Sequence, residues 1–307
     1  MRTIARRKHL SKTTVSAAIT NAVKTVKDSV WIAKHFNPHW GHVLSVDGKF
    51  IRVFNPLAQK FQGSGAEKKW ILKKVWIAGV DILTKDLPHY AVCDGETKID
   101  LYEYFRTLKK DIGYDLRVLV CDGNVETMET ARMVYGSSVG IQLCIRHFIE
   151  GLKLIAKGEG QRKRKQTENL VGNIWQALAM RKEHDCFSNL KILQAIQETS
   201  AQKFIIQNLN SHLYLLTTHF RFHDRYYVPR YNNDAENLFK QLNLRLKSWN
   251  MFRSKENAEH YLKIWALMRR CTKFTDCRGD MNRLKNGHAP LELAGVDLTN
   301  IDYLNLK

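Results

Sequence analysis

Two short apolar runs of this chain each end on an aspartate, and this pattern restricts the possible folds more than any other feature. Residues 118–121, with the sequence VLVC, precede Asp122, and residues 43–46, with the sequence VLSV, precede Asp47. An apolar run of this length that ends at a turn signal is typical of a buried strand. A carboxylate that follows such a strand lies at the edge of the sheet, open to a cleft. We therefore predict that Asp47 and Asp122 lie on neighbouring central strands and face one another.

A third acidic residue, Glu236, begins a predicted helix. An apolar stripe follows it at helical spacing, and a polar stripe that includes Glu236 lies on the opposite face. The apolar stripe is Leu238, Leu242, Leu246 and Trp249, and the polar stripe is Glu236, Lys240, Asn243 and Lys247. This pattern is typical of a catalytic carboxylate beside phosphate-binding lysines. It is equally typical of an exposed helix with a Glu-to-Lys pair, or of a capping box in which Asn233 caps the helix and Glu236 bonds back.

Three carboxylates on separate elements of a basic chain indicate a divalent-metal site that acts on phosphodiesters. Mg²⁺ prefers oxygen ligands and retains some of its waters, so three acids can hold it, and Mn²⁺ suits the same donors. Asp-Gly alone is a common turn, as Asp94-Gly95 illustrates. The combination of Asp47, Asp122 and Glu236 is what favours metal binding.

The composition indicates which class of molecule the chain binds. The chain has 307 residues, is 44% hydrophobic and carries a net charge of +19, which favours nucleic acid over an anionic membrane surface. It contains no apolar run of 18 residues and no signal-peptide core, and its six cysteines lack the spacing of a disulfide framework. We therefore expect a cytoplasmic protein associated with the nucleoid.

The order of the predicted elements is that of an α/β fold. Strands are predicted at residues 43–46 (with 50–54 continuing or pairing), 74–82, 89–93, 116–121 and 141–144, and helices at 100–110 and 126–134. This order predicts a mixed sheet with helices packed on its faces. Strand character is then lost over residues 148–220, where helices are expected at 169–180 and 190–209, separated from the preceding helix by a polar break at 157–166. We interpret this stretch as an all-helical insertion.

Residues 1–40 are predicted to be mainly helical. Ser11 is a candidate cap, and the apolar spacing that follows indicates either half of a helix-turn-helix, with Lys12 facing DNA, or an ordinary amphipathic helix. The unit is short, so we expect part of a DNA-binding domain to be missing. The basic run at residues 162–165 is either a solvated loop or a phosphate contact.

Cys144 and His147 form a Cys-x-x-His pair at the end of the fifth predicted strand. Zinc is the first candidate ligand for such a pair, but no second Cys or His pair at finger spacing accompanies it. A role beside the acidic site is therefore favoured.

Together these motifs resemble those of the DDE transposases of bacterial insertion sequences, in the branch that is similar to Mutator-type and hAT-type elements. The resemblance covers about residues 40–275. It is carried by residues 45–48 (SVDG), 119–124 (LVCDGN), 144–147 (CIRH) and 232–240 (NNDAENLFK), and the stretches 249–258 and 286–292 also resemble the family.

The resemblance implies a ribonuclease H-like fold interrupted by a helical insertion, with Asp47, Asp122 and Glu236 as the metal-binding triad. It implies that Cys144 and His147 lie beside the active site and do not bind zinc. The expected partners are transposon-end DNA and target DNA, joined by a homodimer or higher oligomer. The expected divisions are a partial helix-turn-helix (1–40), the catalytic domain in two parts (41–149 and 230–275), the insertion (150–229) and a tail (276–307). Residues predicted to hold the DNA backbone are Lys12, Lys240, Arg245, Lys247 and Arg253.

Three alternatives remain open from the sequence. The chain could be a truncated or domesticated transposase that binds DNA without cutting it. It could be a nuclease or resolvase on the same fold, or a basic scaffold protein without catalytic activity.

Overall fold

The computed structural model describes residues 25–55, 71–246 and 251–299, position 301, and seven isolated positions between 9 and 23. Two of the predicted DNA contacts, Lys12 and Lys247, lie outside the described residues. Near the N-terminus, the Ser11 hydroxyl accepts a hydrogen bond from the Thr14 backbone N–H at 2.9 Å, as expected of a helix cap. Within the described parts, no helix is both long enough and apolar enough to cross a membrane.

Five strands form one mixed sheet, so the predicted α/β class is confirmed. The order across the sheet is β3-β2-β1-β4-β5. β2 pairs antiparallel with both β1 and β3, whereas β4 pairs in parallel with both β1 and β5. The strands are β1 (Val43–Phe54), β2 (Ile71–Asp81), β3 (His89–Cys93), β4 (Val118–Cys121) and β5 (Gly140–Leu143).

Alternate side chains of the central strands build two cores on opposite faces of the sheet. Val75 and Ile77 of β2 face helices α2 (Lys98–Lys110) and α3 (Val125–Tyr135), whereas Trp76 and Ala78 face the other side. The apolar face of α2 is buried in the first core: Leu101, Tyr104, Phe105 and Leu108. A short helix, α1 (Ser29–Phe36), precedes the sheet.

A helical region with its own core follows β5. It comprises α4 (Ile145–Lys157), α5 (Gln161–Leu178), α6 (Glu183–Leu193), α7 (Ser200–Leu216) and α8 (Thr218–Phe222). The prediction of one helix over residues 190–209 is wrong, because Thr199 and Gln202 form a capping box that begins a new helix. The polar break predicted at residues 157–166 is also shorter in the structure, because α5 begins at Gln161. The basic run 162–165 lies in the first turns of α5, whose polar sequence conceals helical periodicity.

The second face of the sheet is covered by α9 (Asn233–Leu246) and α10 (Lys255–Cys271). The described part of the tail contains two single-turn helices, α11 (Asp280–Arg283) and α12 (Pro290–Leu293). A buried ion pair ties α10 to the sheet: Arg270 donates to both oxygens of Asp86, at 2.9 and 2.7 Å, and Trp40 Nε1 donates to Asp86 Oδ2 at 2.8 Å.

Candidate functional site

Asp47 and Asp122 lie at the same edge of the sheet, where β1 and β4 run in parallel. The pairing of the two strands extends to Ser45 opposite Val120, and each aspartate follows two residues later. Asp47 Oδ1 accepts a hydrogen bond from the Gly48 N–H at 2.7 Å, and Asp122 Oδ1 accepts one from the Asn124 N–H at 3.1 Å. The structure therefore brings these two predicted residues together, with Asp47 partly buried and Asp122 exposed.

The environment of Asp47 disfavours its negative charge. Burial is the main cause that raises the pKa of this carboxyl from 3.8 to about 7, and the charge of Asp122 is the next. Glu96 and Glu236 add smaller repulsions, while the hydrogen bond from Gly48 acts in the opposite direction. The charges of three other carboxyl groups thus act on Asp47, and a cation bound beside it would relieve this repulsion.

Glu96, in the turn between β3 and α2, is a fourth carboxylate that the sequence reasoning missed. Its Oε2 accepts a hydrogen bond from Asn124 Nδ2 at 3.0 Å, and burial is the main cause that raises its pKa. A Cβ added to Gly48 would lie 1.7 Å from Glu96 Oε1, so the carboxylate packs directly against the Gly48 backbone and would have to move if this position carried a side chain. Asp47, Gly48, Glu96, Asp122 and Asn124 line a single small cleft.

Glu236, in the first turn of α9, lies near enough to Asp47 to add a small repulsion, but it is not among the residues that line the cleft. The ligand group that contains it within the described chain joins it to Cys144 and His147 instead of the two aspartates. The side chain of Glu236 is 17% exposed, and its Oε2 lies 3.3 Å from Arg146 Nη2. Oε1 is shielded from solvent and has no hydrogen-bond partner among the described residues. The capping-box interpretation is wrong, because within the described chain neither oxygen of Glu236 accepts a backbone hydrogen bond and Asn233 is itself the first residue of α9.

A buried asparagine fixes the start of α9 against β1. The Asn232 side chain accepts a hydrogen bond from the Ser45 hydroxyl and donates one to the Val46 carbonyl at 3.2 Å. The Ala235 N–H in turn approaches Ser45 Oγ at 3.3 Å. Ser45 lies two residues before Asp47, so these bonds couple the position of Glu236 to that of Asp47. The sequence reasoning did not identify either role.

Cys144 and His147 lie next to Glu236. Cys144 follows β5 as the N-cap of α4 instead of ending the strand, and His147 lies in the first turn of that helix. One donor atom from each of Cys144, His147 and Glu236 can be chosen so that all three lie within 4.8 Å of one another. The Cys144 sulfur also accepts a hydrogen bond from the Asn232 N–H at 3.3 Å.

Three of the predicted DNA contacts are described, and all three side chains are exposed. Lys240 and Arg245 lie on α9, and Arg253 lies between α9 and α10. Leu238 and Leu242, on the opposite stripe of α9, are buried as predicted. The helix therefore presents Lys240 and Arg245 to solvent and Leu238 and Leu242 to the sheet, whereas Leu244 is also exposed.

No protein-family model matches this sequence, and comparison with curated proteins gives no match either. The functional argument therefore depends on the geometry and charge of the site itself.

Proposed function

We propose that this protein is a divalent-metal-dependent enzyme that cleaves and rejoins DNA, a transposase of the DDE type. The observation that carries the proposal is the group of carboxylates around Asp47. Burial, and after it the charges of Asp122, Glu96 and Glu236, raise the pKa of Asp47 from 3.8 to about 7. Such a perturbed carboxyl, in a cleft with other acids, is typical of a functional site.

The topology supports the same proposal. Three antiparallel strands followed by two parallel ones, in the order β3-β2-β1-β4-β5, are consistent with a ribonuclease H-like fold. In that arrangement the first aspartate lies on the central strand and the second follows the adjacent parallel strand. Asp47 and Asp122 occupy these two positions here.

The residues present fit a hard divalent cation. The donors that converge on the cleft are carboxylate oxygens, which Mg²⁺ and Mn²⁺ prefer. Asp47, Glu96 and Asp122 line the cleft, and burial together with the neighbouring charges raises the pKa of Asp47 to about 7, so a cation bound there would relieve the repulsion. Asp47, Asp122 and Glu236 would hold the metal, which when bound would stabilise charge on the attacking and leaving oxygens of the phosphodiester.

The chain's own groups would position the substrates. The proposed reaction is hydrolysis of a phosphodiester at a transposon end, followed by attack of the freed 3′-hydroxyl on target DNA. Lys240, Arg245 and Arg253 are exposed and can pair with backbone phosphates. The net charge of +19 favours the association of both DNA segments. Two ends must be joined, so the active form would be a dimer or higher oligomer.

The test is a strand-cleavage assay on DNA that includes the sequences flanking the gene for this protein. We expect nicking and strand joining with Mg²⁺ or Mn²⁺, and a fall of about 100-fold or more in an Asp122→Asn variant, because metal ions supply several kcal/mol of transition-state stabilisation. Asp115→Asn is the matched control. Asp115 is exposed and contacts His42 and Arg117 beside the opposite end of β4.

Retained DNA binding without any cleavage, in both the wild type and Asp115→Asn, would favour the alternative of an inactive DNA-binding protein. Cleavage that persists in Asp122→Asn would exclude the proposed site. Cleavage without joining of the freed 3′ end would favour a nuclease or resolvase.

A further inference from the structure

A second group of potential ligands includes Glu236, and its chemistry differs from that of the acidic cleft. A sulfur, an imidazole nitrogen and a carboxylate oxygen, from Cys144, His147 and Glu236, lie within 4.8 Å of one another. A thiolate with an imidazole selects zinc and other thiophilic ions, whereas Mg²⁺ avoids both donors. The Cys-x-x-His spacing made zinc the first candidate, but the sequence offered no further ligand, because Glu236 is distant in sequence, and the family resemblance implied no zinc there.

The surroundings of the three side chains favour a bound cation. Glu236 Oε1 is the solvent-shielded oxygen without a hydrogen-bond partner in the described chain, and it lies 3.9 Å from His147 Nε2. The Cys144 sulfur is at the N-terminus of the 13-residue helix α4 and accepts the Asn232 N–H. The thiolate is the form of cysteine that binds metal, and coordination of the ion displaces the thiol proton.

The geometry also gives an ion access to the site. Cys144 is buried, but the His147 side chain is 40% exposed. An ion can therefore reach His147 from solvent. Arg146 contacts the other oxygen of Glu236 at 3.3 Å, so Oε1 remains available.

We propose that Cys144, His147 and Glu236 form an inhibitory site for a thiophilic divalent cation such as Zn²⁺. Binding releases the thiol proton of Cys144 and forms sulfur, nitrogen and oxygen bonds to the ion, with water in the fourth position. The binding claim stands on these three residues alone. The inhibition claim rests on the proposed function, because it requires that Glu236 also serve the acidic cleft.

The binding claim is tested by titration of the metal-free protein with Cd²⁺, which reports thiolate coordination by an ultraviolet charge-transfer band. We expect one equivalent of this signal in the wild type and its loss in Cys144→Ser. Cys186→Ser is the matched control, since Cys186 is a buried free cysteine in the core of the helical region. An equal signal in wild type and Cys144→Ser would overturn the proposal.

A second variant keeps the binding claim testable if Cys144→Ser fails to fold. Glu236→Gln keeps the thiol and the side-chain volume, and we expect its Cd²⁺ affinity to fall about tenfold or more, as loss of metal-site partners generally causes. Unchanged affinity in Glu236→Gln would exclude the carboxylate as a ligand and would overturn the proposed site.

The inhibition claim is tested in the DNA-nicking assay. Micromolar Zn²⁺ should suppress Mg²⁺-dependent nicking by the wild type and by Cys186→Ser, but not by Cys144→Ser. Equal suppression in all three proteins would contradict it. If no protein nicks DNA under any condition, the proposed function fails, whereas the Cd²⁺ titration still decides whether the site binds metal.

Discussion

Replacement of Asp47 by asparagine is expected to stabilise the metal-free protein at alkaline pH. The carboxyl lies among Asp122, Glu96 and Glu236, and burial with these charges raises its pKa to about 7 from an ordinary value of 3.8. Because the folded protein holds this proton more tightly than the unfolded chain does, the free energy of unfolding falls as the pH rises from about 3.8 to 7. Above pH 7 the folded state carries the full cost of the charge.

The magnitude follows from the two pKa values. A difference of about three pKa units, at about 1.4 kcal/mol for each, sets an upper limit of about 4 kcal/mol on the cost above pH 8. The cost shrinks to about 2 kcal/mol at pH 5, where the folded protein retains the proton, and it vanishes below about pH 3. Asparagine resembles the neutral carboxyl in shape, so Asp47→Asn removes most of this cost without emptying the site.

The assay is urea unfolding of both proteins with a metal chelator present, at pH values from 5 to 8. We expect Asp47→Asn to exceed the wild type in unfolding free energy, by an amount that increases over this range. Asp94→Asn is the control with the opposite sign, because hydrogen bonds from Lys74 and Lys255 lower the pKa of Asp94. If Asp47→Asn is no more stable than the wild type at pH 8, or if its advantage does not depend on pH, the electrostatic reasoning is refuted.

Three further predictions concern the same region and its support. Glu96→Gln should lower the pKa of Asp47, since Glu96 is one of the charges that raise it, and carboxyl-carbon NMR titration measures this; an unchanged or higher value would contradict the assigned contact. Asn232→Ala should cost about 1–3 kcal/mol in urea unfolding, because it leaves the buried Ser45 hydroxyl and Val46 carbonyl without their partner, and it should also weaken Mn²⁺ binding. Normal Mn²⁺ affinity in Asn232→Ala would show that the bonds of Asn232 to Ser45 and Val46 do not position Glu236. Asp86→Asn should cost about 3–5 kcal/mol, because it leaves the buried Arg270 guanidinium without its ion pair. A loss below about 1 kcal/mol would show that water or another group takes the place of Asp86.

The sequence predicted the parts of the site that lie on regular elements. Asp47 and Asp122 follow apolar strands, and a carboxylate at the end of a buried strand can be recognised from the local pattern alone. Glu236 was located by the leucine stripe behind it. Glu96 was missed because it lies in a turn, where no periodicity marks its direction. Its place in the cleft is shown by tertiary contacts: the hydrogen bond from Asn124 and the approach of its carboxylate to Gly48.

The errors in the helical region have a similar cause. Apolar spacing continues from α6 into α7, so the chain reversal at Thr199 was hidden in a periodic sequence. At the start of α5 a stretch of helix was missed, because its highly polar first turn gives no apolar signal. Asn232 was not assigned a role, because its partners Ser45 and Val46 are almost 190 residues away in sequence. Such tertiary contacts cannot be read from local pattern.

The most direct test of the central claim is a crystal of the protein soaked in Mn²⁺, measured for anomalous scattering. The account predicts at least one anomalous peak in the cleft, coordinated by carboxylate oxygens of both Asp47 and Asp122 and lost in Asp122→Asn. Absence of a peak at this edge of the sheet, in crystals that bind Mn²⁺ elsewhere, would contradict the proposal that these carboxylates form a metal centre.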